Sequence, residues 1–102
     1  MAGPIYVFGA MRFTEAWYQL SEEERESLMA KVLANREKVG VKRIIMCNSL
    51  WSPPTEYHGF MVDEYPDIEA YQKLDQMDYE LGWWRYWEGM HILGTEWEGP
   101  VE

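Results

Sequence analysis

The sequence predicts an α+β domain in which four antiparallel strands and two helices follow one another as β-α-β-β-α-β. Three observations predict it. Apolar, β-rich runs lie at 5–13, 41–50, 56–64 and 91–97. Two helical patterns each open on a capping residue, Ser21 and Asp67. Gly or Pro stands at the junctions, as Gly40, Pro53-Pro54, Pro66 and Gly82. Right-handed crossovers in such an order put both helices on one face of a four-stranded sheet. With 102 residues the chain is read as a single domain, 1–102.

The first strand, Ile5 to Phe13, sends Ile5, Val7 and Met11 to one face and Tyr6, Phe8 and Ala10 to the other. Both faces are apolar, which predicts cover on both sides. Gly9 in its middle marks a bulge or a close approach. Ser21-Glu22-Glu23-Glu24 reads as a capping box, with three acids at the positive end of the helix dipole. Leu28, Val32 and Val39 then share one helical face, widened by Met29 and Leu33, and Gly40 ends the helix. Val41 to Leu50 is the second strand and Pro53-Pro54 stops it; Glu56 to Glu64 is the third, antiparallel to it. Asp67 caps the second helix, which runs through Ile68, Tyr71, Leu74, Met77 and Leu81. His91 to Trp97 closes the set, with His91, Leu93, Thr95 and Trp97 on one face.

A sheet with helices on one side leaves its second face bare. Phe8, Phe60, Val62, Leu93 and Ile44 or Ile45 are too apolar for a face in water, where clean alternation is expected. A homodimer with two sheets packed face to face accounts for this.

With that element order the chain resembles the dimeric α+β barrel superfamily of ferredoxin-like domains. The superfamily includes cofactor-independent and haem-degrading monooxygenases of the antibiotic-biosynthesis type, stress-responsive barrel proteins and L-rhamnose mutarotases. Residues 60–87 are similar to the mutarotases in more detail: Phe60-Met61-Val62, an acidic stretch, the helix from Ile68, Asp78, then Trp83-Trp84-Arg85-Tyr86. In that family the tandem aromatics lie at the sugar pocket. The mutarotase His between first strand and first helix is missing here. That segment reads Thr14-Glu15-Ala16-Trp17-Tyr18-Gln19-Leu20, and only Tyr18 offers a comparable proton-handling group.

Composition narrows the partners. Lys and Arg number 9 against 18 Asp and Glu, giving a net charge of −9, which disfavours nucleic acid and anionic membranes. No apolar run approaches the ~20 residues of a membrane span. The N-terminus lacks the pattern of a secretory signal, and Cys47 is the only cysteine; a cytoplasmic protein is expected.

Leu81-Gly82-Trp83-Trp84-Arg85-Tyr86-Trp87 holds three of the six Trp within five residues. On a helical wheel Leu74, Met77, Leu81 and Trp84 form one stripe; Tyr79, Trp83, Tyr86 and Trp87 form another. One stripe docks the helix, and the second needs its own partner. That partner is the core, a dimer interface or a ligand, so Trp83, Trp84, Tyr86 and Trp87 are candidate ligand-binding residues. Gly82 is a candidate break between helix and aromatic cluster. Arg12 alternates with Tyr6, Phe8 and Ala10 and, with Arg43, is a candidate anchor for a carboxylate or enolate; a surface role is the plainer reading.

His58 and His91 are the only histidines. Each sits on an apolar strand face, which suits a hydrogen-bonded core residue or a neutral base. Strand register decides which one faces the helices, and the short Gly89-Met90 link to the aromatic cluster favours His91. The candidate catalytic residues are thus His91, His58 and Tyr18. Two His without spaced Cys or carboxylates make no zinc motif. A single His is able to hold a haem, but Asn48 and Trp51 fall at the second strand, so no haem ligand set carries over, and no cofactor or metal is expected. The sequence therefore points to a small organic ligand. It leaves open a cofactor-independent monooxygenase, a mutarotase-like isomerase and a non-catalytic binding or structural dimer.

Overall fold

The computed structural model describes residues 3–52 and 56–100. The Pro53-Pro54 stop lies outside them. Strand β1 (Ile5–Phe13) leads through a short helix α1 (Glu15–Gln19) into the long helix α2 (Glu22–Val39). Strands β2 (Lys42–Asn48) and β3 (Gly59–Tyr65), helix α3 (Ile68–Leu81), a 3-10 turn (Trp83–Arg85) and strand β4 (Trp87–Gly94) follow. The sheet order is β2-β3-β1-β4, with every neighbouring pair antiparallel.

The local signals act as their chemistry requires. Ser21 Oγ accepts from the Glu24 amide at 3.1 Å while the Glu24 carboxylate accepts from the Ser21 amide at 2.9 Å. Asp67 Oδ1 accepts from the Ala70 amide at 2.8 Å. Gly82 has φ 84°, a left-handed conformation that stops α3 where a residue with a Cβ would be strained.

Register assigns the faces. Val7 lies opposite both Asp63 and Leu93, and Gly9 opposite both Met61 and His91. These residues share the helix-covered face with Ile5, Met11, Phe13, Tyr65 and Trp87, because paired residues project to the same side. Ile5, Val7, Val39, Tyr65 and Leu74 form the buried cluster between sheet and helices. On the other face lie Phe8 and Phe60, with ring centroids 5.6 Å apart, together with Val62, Ile45 and Ile92. Ile45 and Ile92 remain more than half exposed.

Three expected placements are corrected. The last strand runs from Trp87 to Gly94, not from His91 to Trp97; Trp97 is exposed beyond it, its indole N–H donating to the Pro100 carbonyl at 2.8 Å. Pairing starts early because the Thr14 amide donates to the Tyr86 carbonyl at 3.0 Å and the Thr14 hydroxyl to the Arg85 carbonyl at 2.7 Å, pinning the aromatic turn to the end of β1. Trp87 is therefore a strand residue opposite Phe13, not part of a helical stripe. Leu93, counted with the bare face, lies on the helix side opposite Val7.

Candidate functional site

A cavity of about 450 Å³ opens between the sheet and the two long helices. Its floor is the middle of the sheet at Gly9, Met11, Met61 and His91; α2 supplies Met29, Val32 and Arg36, and α3 supplies Tyr71, Leu74, Asp75 and Asp78. Trp83, Trp84 and Trp87 wall the end where α3 stops. The size and the apolar lining with a few polar groups are those of a small-molecule pocket.

His91 is the polar centre of the floor. Its Nδ1 is 2.9 Å from the Tyr71 hydroxyl, and its ring stacks on Trp87 with centroids 5.6 Å apart at 24°. Tyr71 also meets Tyr65 edge-on at 5.3 Å, which fixes its ring. Burial lowers the His91 pKa, outweighing the pull of Asp75 and Asp63, so the imidazole is neutral at neutral pH. Burial, helped by Asp75, raises Tyr71, which keeps its proton.

Gly9 makes room for this pair. A Cβ there would stand 2.7 Å from Met61 Sδ and 3.1 Å from His91 Cδ2. Gly9→Ala is expected to cost about 1–3 kcal/mol by overpacking and to shift the His91 ring resonances in NMR. Wild-type stability and unshifted His91 signals would show that the floor yields freely.

A second polar group closes the cavity beneath α2. Asp63 is buried and receives Arg43 Nε at 2.9 Å and Nη2 at 3.4 Å, and Arg36 Nη1 at 3.2 Å. Burial alone would raise its pKa; the hydrogen bonds from Arg43 and Arg36 outweigh that and hold it below the ordinary Asp value. Both lining guanidiniums are thus engaged by one carboxylate. Asp78 is raised by burial, and Asn35 donates to it at 3.1 Å.

Of the residues singled out from sequence, His91, Trp83, Trp84 and Trp87 come together on this cavity, with Arg43 at its far wall. The others lie elsewhere. His58 precedes β3, and its Nδ1 accepts from the Phe13 amide at 3.2 Å. Tyr18 is exposed on α1, with the Arg25 guanidinium 6.0 Å from its ring centroid. Tyr86 faces a shallow depression with Leu20, Leu28 and Leu81. Arg12 projects from the uncovered sheet face, ion-paired with Glu88 at 2.5 Å and Glu56 at 3.4 Å. Tyr71, Asp63 and Arg36 were not picked out as site residues. Tyr71 reads as a docking residue of its helix, and Asp63 and Arg36 as ordinary surface charges. The one available signal is an Asp directly after the apolar run Phe60-Met61-Val62, with Arg43 on the neighbouring strand.

No family model matches the chain, and no curated protein matches it in sequence. Solved structures do. The chain is similar to a candidate chlorite dismutase with a TM-score of 0.70 and 18% identity, over 92% of this chain and 45% of that one. It is similar to a haem-binding protein from Thermus thermophilus with a TM-score of 0.71 and 20% identity, over 92% of this chain and 40% of that one. A DABB-family protein of ferredoxin-like fold from Mesorhizobium loti matches with a TM-score of 0.54 and 15% identity, over 94% of this chain and 99% of that one. The chain has a ferredoxin-like fold, a four-stranded antiparallel sheet carrying its helices. The chain spans less than half the length of the first two proteins and nearly all of the third. At these identities the likeness speaks for the fold, which hosts many chemistries.

No helix among the described residues is long and apolar enough to cross a membrane. Among the same residues no cluster of three His, Cys, Asp or Glu side chains is placed to hold a metal ion.

Proposed function

We propose that this barrel domain binds a small, flat organic molecule in the cavity under α2 and α3, and that it acts there as a cofactor-independent, monooxygenase-like enzyme. The observation that carries the reading is the hydrogen-bonded His91–Tyr71 pair on the cavity floor. An inward, hydrogen-bonded imidazole beside an open cavity is what a proton-abstracting enzyme needs and what a filled structural interior lacks.

The chemistry follows from tautomers. If His91 carries its proton on Nδ1 and donates to the Tyr71 oxygen, Nε2 is a free base. Nε2 takes a proton from an activated phenol or enol, and a dry, apolar site keeps the resulting carbanion from water. With dioxygen as co-substrate, a CH₂ group becomes C=O; one oxygen atom enters the product and the other leaves in water. Tyr71 holds the imidazole in place throughout. A mutarotase-like reading uses the same two groups, but the walls are mostly aromatic and aliphatic, which suits a flat apolar molecule better than a sugar.

Haem, which one of the similar structures binds, does not fit these residues as they stand. Arg36 and Arg43 are both closed on Asp63, so neither is free for a porphyrin carboxylate.

The working unit is a homodimer joined through the uncovered sheet face, where Phe8, Phe60 and Val62 are only half-buried and Ile45 and Ile92 are more than half exposed in a lone chain. Burial there contributes about 25 cal/mol per Å². Light scattering is expected to give twice the 12.2 kDa chain mass at micromolar concentration; a stable monomer removes the dimer. For catalysis, oxygen uptake is measured with a panel of polycyclic phenols and enols, and sugar anomer exchange by NMR. Uptake that depends on His91 supports the oxygenase reading. Anomer exchange without uptake replaces it with the isomerase, and binding without either leaves a non-catalytic binder.

A further inference from the structure

The rim of the cavity carries aromatic surface that the proton-transfer scheme does not use. Tyr79 lies in the last turn of α3 and Trp84 in the 3-10 turn beyond it, and both line the cavity. Five positions apart, they would stand about 140° from each other on an unbroken helix. The left-handed Gly82 ends that helix and brings the rings together, with centroids 6.2 Å apart and planes inclined by 21°. The turn is anchored, because Thr14 donates to the Arg85 and Tyr86 carbonyls. The Arg85 guanidinium, 5.3 Å from the Trp84 ring centroid, steadies that ring further.

Packing does not account for the pair. Tyr79 is 63% exposed and Trp84 54% exposed, while Leu74 and Tyr71 already dock the helix on the core. The face-to-face dimer leaves the rim uncovered as well, since it uses the other side of the sheet. Large aromatic surface held in water at the edge of a cavity marks a binding surface, and its fixed geometry reduces the entropy lost when a ligand covers it.

Distance sets the ligand's length. Tyr71, whose hydroxyl is 2.9 Å from His91 Nδ1, and Tyr79 both line the cavity, eight positions apart along α3. That separation is about 12 Å along the helix axis, more than one aromatic ring spans. A molecule whose reacting ring lies against His91 reaches the rim only by carrying further rings.

We infer that Tyr79 and Trp84 form an outer subsite, and that the ligand is a planar polycyclic molecule whose oxygen-bearing ring lies at His91 and whose far ring packs on this pair. The inference rests on the proposed ligand cavity; it adds the length of the ligand and the two residues that select it.

The probes are phenol, 2-naphthol and 2-anthrol, which add one fused ring at a time. Calorimetry gives the affinities, and the His91 ring resonances in NMR register binding in the cavity. Affinity is expected to rise along the series. Tyr79→Leu and Trp84→Leu, both at exposed positions, are each expected to weaken 2-anthrol about five- to tenfold and phenol by less than about twofold. Trp97→Leu, which removes an exposed indole outside the cavity, should leave all three affinities unchanged. If 2-anthrol shifts the His91 signals but binds no tighter than phenol, keeps its affinity in both rim variants, or loses no more than phenol does, the inference fails while the pocket stands. If no probe shifts those signals, the pocket reading and the inference fall together.

Discussion

Asp63→Ala is expected to destabilise the fold by about 3–5 kcal/mol, the loss seen when one member of a buried ion network is removed. The carboxylate is 6% exposed and holds Arg36 of α2 and Arg43 of β2 at once, so it ties a helix and an edge strand to the centre of the sheet. Removing it leaves two guanidiniums facing each other around an apolar gap. Urea unfolding measures the effect, and a loss under about 1 kcal/mol would mean that water replaces the carboxylate at little cost. The same site sets an acid limit. The Asp63 pKa in the folded protein lies below its unfolded value, so the carboxylate's contribution is fully present above the unfolded value of 3.8. It is lost as the pH falls from there through the lowered folded pKa. Asp63→Asn should therefore flatten the loss of stability in that window.

His91→Ala is expected to lower turnover by about 10²–10⁴, the usual worth of a positioned general base. His58→Ala should leave turnover near wild type, because His58 lies outside the cavity with Nδ1 accepting from the Phe13 amide. The pH profile carries its own signature. Burial lowers the His91 pKa, so the free base dominates at neutral pH and kcat/KM should fall only on the acid side, below the ordinary His value of about 6.5. Equal losses in the two variants, or an acid limb at or above that value, would take the base role away from His91.

The two histidines show what a single strand can and cannot reveal. Each sits in an apolar run, and alternation alone places each on an apolar face. The choice between the covered and bare faces belongs to cross-strand pairing. The ladder that sets Gly9 opposite His91 makes it, and it depends on β4 starting at Trp87. That start is fixed by Thr14 gripping the aromatic turn, a contact between residues 71 and 72 positions apart in the chain. No local pattern encodes it. Gly89, which reads as a linker, lies within the ladder for the same reason.

The sequence by itself determined the element order, the capped helix starts at Ser21 and Asp67, the break at Gly82 and the concentration of aromatic surface at Trp83–Trp87. All of these rest on interactions within a few residues, or on composition. Only the tertiary structure decided that Tyr71 meets His91, that Asp63 engages both Arg36 and Arg43, and that Arg12 turns to the bare face with Glu88. Those pairings join positions 20 to 76 residues apart. A polar side chain's partner is whatever the packed sheet and helices bring within about 3 Å of it.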